Sequence, residues 1–537
     1  MRLINRRLIP PLIVVTAIVW TLLIVMRSRV ATQVTRAAST ALIPTEQSAS
    51  PALTTPADLA LTREINRVID ESTLTQARWG VFVMSLNDGR VLCSRNGDQL
   101  FTPASNMKIY TTAAALDLLG ADYRWRTSAY SDKQPDANGV IESDLTLYGR
   151  GSPDLVSYRK DGAPSLVELA DQLYRRGVRE VHGNIVGDDS YFRGELYGLG
   201  WQWNDLQWYF GAEPSALTIN ANAINLTIAP ASRLGDPATL KLERASDFIH
   251  LINGTTTVER SVPTTIGIYR GVSDNDVRVW GEFPVGGRSF GAYLSVHNPA
   301  QWAARLFKEA LVARGIKVDG ETRSRDFRVA ETAKFDPQKA VEIANTMGAT
   351  LGEAVRETNK HSNNLYAELV LRTLGKEKGA MAPDPNPRKN RERGDDEAGI
   401  AVVNLWLKRN SIDPDKLAIR DGSGLSRLDL VTPEATARLL VAIAKTNAGS
   451  VFHDSLPIAG RDGTLGSRLS REVGRVFAKT GTISYDHSLS GYAVTDSNEV
   501  LVFSIFCNDA TGHADPVRVI DQIASLIVSY GHPVKSK

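Results

Sequence analysis

Phe101-Thr-Pro-Ala-Ser-Asn-Met-Lys-Ile-Tyr-Thr-Thr-Ala-Ala-Ala-Leu-Asp-Leu-Leu-Gly120 is the stretch on which the reading of this chain turns. It predicts a helix with defined ends: Thr102 as cap, Pro103 in the first turn, and Gly120 at a left-handed exit. Met107, Ile109, Tyr110, Ala113 to Ala115, Leu116, Leu118 and Leu119 make the helix apolar almost all round, which places it inside a domain. Ser105 and Lys108, three apart, share one of its faces. A serine hydroxyl is a weak nucleophile until a base takes its proton. An ammonium in an apolar site near a helix N-terminus loses its proton more readily than in water, so Lys108 is a candidate base for Ser105.

The chain has 537 residues, enough for two or three domains. Its 42% apolar and 23% charged content is that of a folded globular protein, and a net charge of +2 implies no nucleic-acid partner. Two cysteines, Cys93 and Cys507, exclude a disulfide scaffold or a cysteine-rich metal site; both lie in apolar, strand-like runs, and whether they pair stays open. The eight histidines form no His-x-x-x-His pair with an acidic neighbour, so no metal is expected.

Arg2, Arg6 and Arg7 precede an uncharged run over 8–26, followed at once by Arg27 and Arg29. That run is long for a signal-peptide core, and no clean Ala-x-Ala site follows. Residues 1–29 are therefore expected to be a membrane anchor or a signal segment, with the anchor favoured, and the remainder to be exported. Residues 30–57 are rich in Ala, Ser, Thr and Pro and are expected to form a flexible linker.

Thr55-Pro-Ala-Asp starts a helix with Leu61, Ile65, Val68 and Ile69 on one side. A strand beginning at Trp79, the turn Asn87-Asp-Gly89, and a return strand over 90–94 follow. From 123 to 326 short strands and turns dominate, interrupted by helices near 165–176 and 300–315. Helical periodicity resumes around Met347 and runs to Leu374, and the proline- and charge-rich stretch 376–397 is expected to be an exposed loop. Runs starting at Arg475, His487 and Val500 predict three antiparallel strands, and Asp515-Pro516 starts a last helix with Ile520, Ile523 and Ile527 on one face. These boundaries predict a split domain, 58–122 with 330–537, closed around one antiparallel sheet flanked by helices. Residues 123–329 would be inserted, mostly β subdomains, one nested in the other.

Two further motifs complete the first: Ser362-x-Asn364 within His361-Ser-Asn-Asn364, and Lys479-Thr480-Gly481 on a strand. The ordered set Ser-x-x-Lys, Ser-x-Asn, Lys-Thr-Gly resembles the penicillin-recognising serine enzymes, whose α/β (α+β) fold is that of serine β-lactamases and DD-peptidases. The span between Ser105 and Ser362 is far too long for a simple β-lactamase layout. It resembles the class C low-molecular-mass penicillin-binding proteins, the D-alanyl-D-alanine carboxypeptidases and endopeptidases of peptidase family S13. Asp421-Gly-Ser-Gly-Leu-Ser-Arg427, Leu456-Pro-Ile-Ala-Gly-Arg-Asp-Gly463 and Trp201-Gln-Trp-Asn-Asp205 leading to Phe210 carry the same likeness, which covers roughly 58–530.

The resemblance implies a catalytic set of Ser105 as nucleophile, Lys108 as base, Ser362 as proton relay beside Lys108, and Asn364 as partner of Lys108 and substrate amide. It implies that Lys479 and Thr480 hold the substrate carboxylate, that Gly481 admits substrate to the strand, and that the amides of Ser105 and Thr482 form an oxyanion hole. Asp205, Phe210 and Arg427 would contact the substrate's side chain; for Asp205 and Phe210 plain packing of the inserted part is an equal reading, and for Arg427 a salt bridge under the wall. Ser484 stands where relatives can carry glutamine, and Gly149 to Asp154 matches its counterpart only approximately. The expected partners are peptidoglycan stem peptides and β-lactam antibiotics, with no cofactor, at the periplasmic or outer face of the cytoplasmic membrane. Carboxypeptidase and endopeptidase activity both stay open. A β-lactamase is the first alternative, but Val83 stands where its Glu-x-x-Leu-Asn would need glutamate before Leu86-Asn87. A non-catalytic peptidoglycan-binding protein is the second, and it would be expected to have lost Ser105 or Lys108.

Overall fold

A computed structural model describes residues 55–531 except 161, 245, 330–333, 385–391 and 512–514. The expected anchor and nearly all of the linker lie outside the described residues. Among the described residues no helix is long and apolar enough to cross a membrane.

Short apolar runs build the central sheet. Arg78–Ser85 pairs antiparallel with Val91–Arg95 through a turn at Gly89 (φ +75°), and on its other side with Val500–Asn508. Asp486–Val494 and Val476–Ile483 extend it, giving five antiparallel strands with Val476–Ile483 at one edge. Val81 and Val83 pack on one face against Leu61 and Ile65 of the Pro56–Asp70 helix and Ile520 and Ile523 of the Pro516–Val528 helix. Phe82 and Met84 pack on the other against Met107, Tyr110 and Leu116 of the Met107–Leu119 helix. The sheet is thus covered on both faces, which explains why its strands read as nearly continuous apolar runs.

A second core lies wholly within 129–344. Its five-stranded sheet runs in the order Thr322–Arg325, Ile185–Asp188, Leu145–Tyr148, Arg124–Ser131, Val341–Thr350, with the Leu166–Arg175 and Pro299–Arg314 helices and smaller three-stranded sheets around it. Val341–Thr350 pairs antiparallel with Arg124–Ser131, so this strand, C-terminal to the expected boundary at 330, is hydrogen-bonded to the intervening segment. Met347 therefore sits in a strand, not in the helix its surroundings suggested. Pairing with a strand two hundred residues away in sequence overrides local periodicity, and helix begins only at Leu351, where Thr350 and Glu353 form a capping box.

Two other expectations change at element ends. Thr102 caps nothing; its amide donates to Asn508 Oδ1 (2.7 Å), and a 3-10 turn over Ala104–Asn106, entered with Ala104 at φ +49°, precedes the α-helix. Gly120 has φ +86° but an extended ψ of 147°, so it ends the helix without a left-handed cap. The 376–397 stretch is only partly a loop, because the Asn364–Lys378 helix and the Asp395–Arg409 helix enter it from either end.

Candidate active site

The apolar helix delivers the first two groups. Every residue from Met107 to Leu116 is buried, Lys108 completely so. Lys108 Nζ is 2.9 Å from Ser105 Oγ, 2.6 Å from Asn364 Oδ1 and 2.7 Å from the carbonyl oxygen of Ser423. An amide oxygen and a carbonyl oxygen only accept hydrogen bonds. They occupy two N–H bonds of a neutral Lys108, which leaves the lone pair facing the Ser105 hydroxyl. Burial lowers the Lys108 pKa to about 7, against a partial opposing pull from Asp421, Glu368 and Asp429.

The edge strand Val476–Ile483 brings the second lysine. Lys479 is fully buried, and its Nζ donates to Ser362 Oγ (2.9 Å) and to the Thr480 carbonyl (2.8 Å). Burial, with the neighbouring Lys108 charge, holds its pKa well below the usual lysine range. Ser362 thus contacts Lys479, where the family likeness implied a place beside Lys108. It holds this position with φ +58°, a left-handed conformation unfavourable for a residue with a side chain. Thr480 Oγ1 donates to Thr464 Oγ1 (2.7 Å). A Cβ on Gly481 would overlap Ser488 Oγ and stand 2.7 Å from the Pro103 carbonyl and 3.1 Å from the Ser105 nitrogen, so only glycine lets the two elements meet.

A cleft of about 350 Å³ opens over these groups. Ser105, Ser362, Asn364 and Thr482 line it together with Asp205, Phe210 and Arg427. Asp205 has its carboxyl pKa raised by burial, opposed by the Arg427 charge. Arg427 lines the cleft and also donates to the Ser484 carbonyl (3.2 Å) and Asp486 Oδ2 (3.3 Å), so the ion pair expected as its alternative is present as well. The Phe210 carbonyl accepts from Asn364 Nδ2 (2.9 Å), which ties the inserted segment to the second motif. His361 also lines the cleft and is exposed.

Three groups escaped the sequence reading. Asn106, fully buried, donates to the Lys479 carbonyl and to Ser488 Oγ, locking the helix to the edge strand. Thr464 meets Thr480, and the Ser423 carbonyl meets Lys108. A buried-side polar residue next to Ser105 was a usable signal for Asn106; a backbone carbonyl leaves none.

Among the described residues the only three-residue acidic-histidine grouping with metal-ligand spacing is Glu180, His182 and Asp319, which lie in the second-sheet region. Lys317 already pairs with both acids there.

A nucleophile-bearing helix, a lysine base with its lone pair directed, and a second lysine on an adjacent β edge define the penicillin-recognising serine enzymes. Comparison with known proteins narrows this. The model of the D-Ala-D-Ala carboxypeptidase 3 (S13) family matches residues 61–530, and the chain belongs to that family. A D-alanyl-D-alanine carboxypeptidase of Actinomadura is 33% identical over 518 residues, covering 93% of this chain and 91% of the relative. The D-alanyl-D-alanine carboxypeptidase DacB of Haemophilus influenzae is 26% identical over 451 residues, covering 82% and 88%. The crystal structure of penicillin binding protein 4 from Haemophilus influenzae superimposes with a TM-score of 0.74 at 22% identity, over 86% of this chain and 98% of that one, which shows a shared fold. The chain is accordingly a serine-type D-Ala-D-Ala carboxypeptidase by class.

Proposed function

We propose that this protein cleaves peptidoglycan stem peptides after D-alanine through an acyl-enzyme on Ser105, and that β-lactams acylate the same oxygen. The observation that carries the reading is the wholly buried Lys108 amine 2.9 Å from Ser105 Oγ, with its two N–H bonds engaged elsewhere. Ser105 Oγ attacks the carbonyl carbon between two D-alanines, and its proton passes to Lys108 Nζ. The resulting ammonium has three acceptors waiting. The C–N bond then breaks as the proton that Lys108 took passes through Ser362, held by Lys479, to the departing amine, which leaves Lys108 neutral again. Water then attacks the ester carbonyl, giving a proton to Lys108, which returns it to Ser105 Oγ as the ester C–O bond breaks.

Lys479 and Thr480 suit the substrate's C-terminal carboxylate, since an anion entering this site restores the proton that burial disfavours on Lys479. The Ser105 and Thr482 amides are the candidate oxyanion donors; one such donor carries about 3 kcal/mol of barrier. Asn364 Nδ2, which gives one N–H to the Phe210 carbonyl, has a second for a substrate amide. Asp205, Phe210 and Arg427 form the wall for the stem's side chain. In this reading 58–122 and the C-terminal third make the catalytic domain, interrupted by the inserted subdomains. The 8–26 run anchors the enzyme at the outer face of the cytoplasmic membrane, where stem peptides lie.

Intact mass of the protein after benzylpenicillin, beside Ser105→Ala, tests the nucleophile. A single penicilloyl adduct on the native protein and none on the variant is the expected result. No adduct on the native protein, with the lactam intact, overturns the reading in favour of a non-catalytic wall-binding protein.

A further inference from the structure

Beneath Ser423 lie three buried carboxyl groups, Glu368, Asp421 and Asp429, on two different parts of the chain. Buried carboxylates are costly unless hydrogen-bonded or paired, so each one's bonds identify its task. The two oxygens of Asp421 accept five donors. Oδ1 takes the amides of Ser423 (3.1 Å) and Gly424 (2.6 Å). Oδ2 takes the amide of Ser426 (2.8 Å), the hydroxyl of Ser423 (3.3 Å) and, from the inserted segment, the indole N–H of Trp201 (2.8 Å). Around this one side chain the 421–426 loop is wound so that the Ser423 carbonyl points at Lys108. Gly424 makes the winding possible, at φ +79° with the Ala104 carbonyl pressed against it.

Asp429 supports the arrangement from below. Its Oδ1 accepts the amides of Arg420 (2.6 Å) and Asp421 (3.4 Å), while its buried Oδ2 meets no donor. Burial, with the charge of the neighbouring Asp421, holds the Asp429 pKa well above the ordinary carboxyl range. Glu368 closes the set by accepting the Gly422 amide (3.0 Å).

We infer that Asp421 is a positioning residue for acylation: with its own backbone held by Asp429, it aims the Ser423 carbonyl at the Lys108 amine and, through Trp201, ties the substrate wall that carries Asp205 to the same loop. The general base and the cleft are then set by one carboxylate. The titratable groups facing Lys108 across this assembly are Lys479 from the edge strand, Asp421 and Asp429 from the loop, and Glu368 from the Asn364–Lys378 helix. The Arg372 guanidinium acts on Glu368 as an opposing positive charge.

The inference rests on the acyl-enzyme reading, and the test separates the two. The second-order rate of acylation by benzylpenicillin is measured from pH 5 to 9 for the native protein and variants, with thermal midpoints alongside. Asp421→Asn turns an amide N–H toward donors and removes a charge that favours the ammonium. It should acylate at least tenfold more slowly, with the acid limb of its profile moved to lower pH. Asp429→Ala should lose at least fivefold, and Asp429→Asn, whose side-chain oxygen still accepts the Arg420 and Asp421 amides, should recover most of that loss. Trp201→Phe should lose at least threefold. Should Asp421→Asn fail to fold, the Asp429 pair and Trp201→Phe decide. Equal rates and limbs in native and Asp421→Asn, no rescue of Asp429→Ala by Asp429→Asn, or native rates in Trp201→Phe overturn the inference. No adduct on the native protein strikes the underlying reading instead.

Discussion

Acylation should depend on pH through Lys108, with a magnitude set by its burial. With the amine pKa lowered to about 7, half of the enzyme carries a competent base at neutral pH. The fraction falls to about one tenth at pH 6 and about one hundredth at pH 5, so the rate should drop tenfold per unit below the limb. An ordinary lysine would place that limb above pH 10. The perturbation is Lys108→Met, which keeps the unbranched stem but removes the base. It also strands Asn364 Oδ1 and the Ser423 carbonyl, which lose the donor 2.6 and 2.7 Å away. Loss of a general base costs about 10²- to 10⁴-fold, or about 3–5 kcal/mol of barrier. Stopped-flow acylation with a fluorescent penicillin, taken to saturation, separates the chemical step from carboxylate binding at Lys479, whose own titration is coupled to that of Lys108. The native limb near pH 7 should be absent from the variant's residual rate. A native rate constant flat from pH 5 to 8, or a Lys108→Met rate within tenfold of native, refutes the assignment of Lys108 as base.

Gly481→Ala should cut acylation at least a hundredfold, read by the same assay, because its methyl enters the space between the edge strand and the Ser105 amide; a rate within fivefold of native would show that the strand can withdraw at little cost. Asp189, lining a separate cavity of about 140 Å³ with Glu213, His297 and Arg372, has its pKa raised to about 7 by burial and by the charges of Asp326, Asp188 and Glu213. The unfolded chain releases that proton near pH 4, so the folded state loses stability as pH rises from there through 7. Asp189→Asn should therefore stabilise by up to about 2 kcal/mol more at pH 8 than at pH 5 in urea unfolding; an equal effect at both pH values would refute this. Cys93 and Cys507 are both free and buried, with thiol pKa values pushed up to about 11 and about 12. A thiol-reactive disulfide reagent should label neither in the folded protein and both in denaturant; rapid native labelling would contradict the packing.

Local physical chemistry carried far into this molecule. Apolar residues on all sides of 107–119 demanded a buried helix, and burial makes the Lys108 ammonium readier to give up its proton. Short apolar runs specified the strands of the central sheet, and the order of three short motifs specified the family. Each of these follows from neighbours within a few residues. The remainder needed the chain to close. Met347 became strand because Arg124–Ser131 offered it a ladder, and Thr102 lost its capping role to Asn508, more than four hundred residues away. Ser362 found Lys479 as its partner only when the edge strand met the helix entrance. The Ser423 carbonyl is invisible in any side-chain pattern, since every residue has one. Its direction is settled by the buried Asp421 carboxylate and the donors that a folded loop and a distant tryptophan bring to it. The sequence by itself thus determined which groups are reactive and in what local structure they stand. Tertiary structure decided which of them touch, because hydrogen bonds in a buried site are chosen by whatever the fold brings within three ångströms.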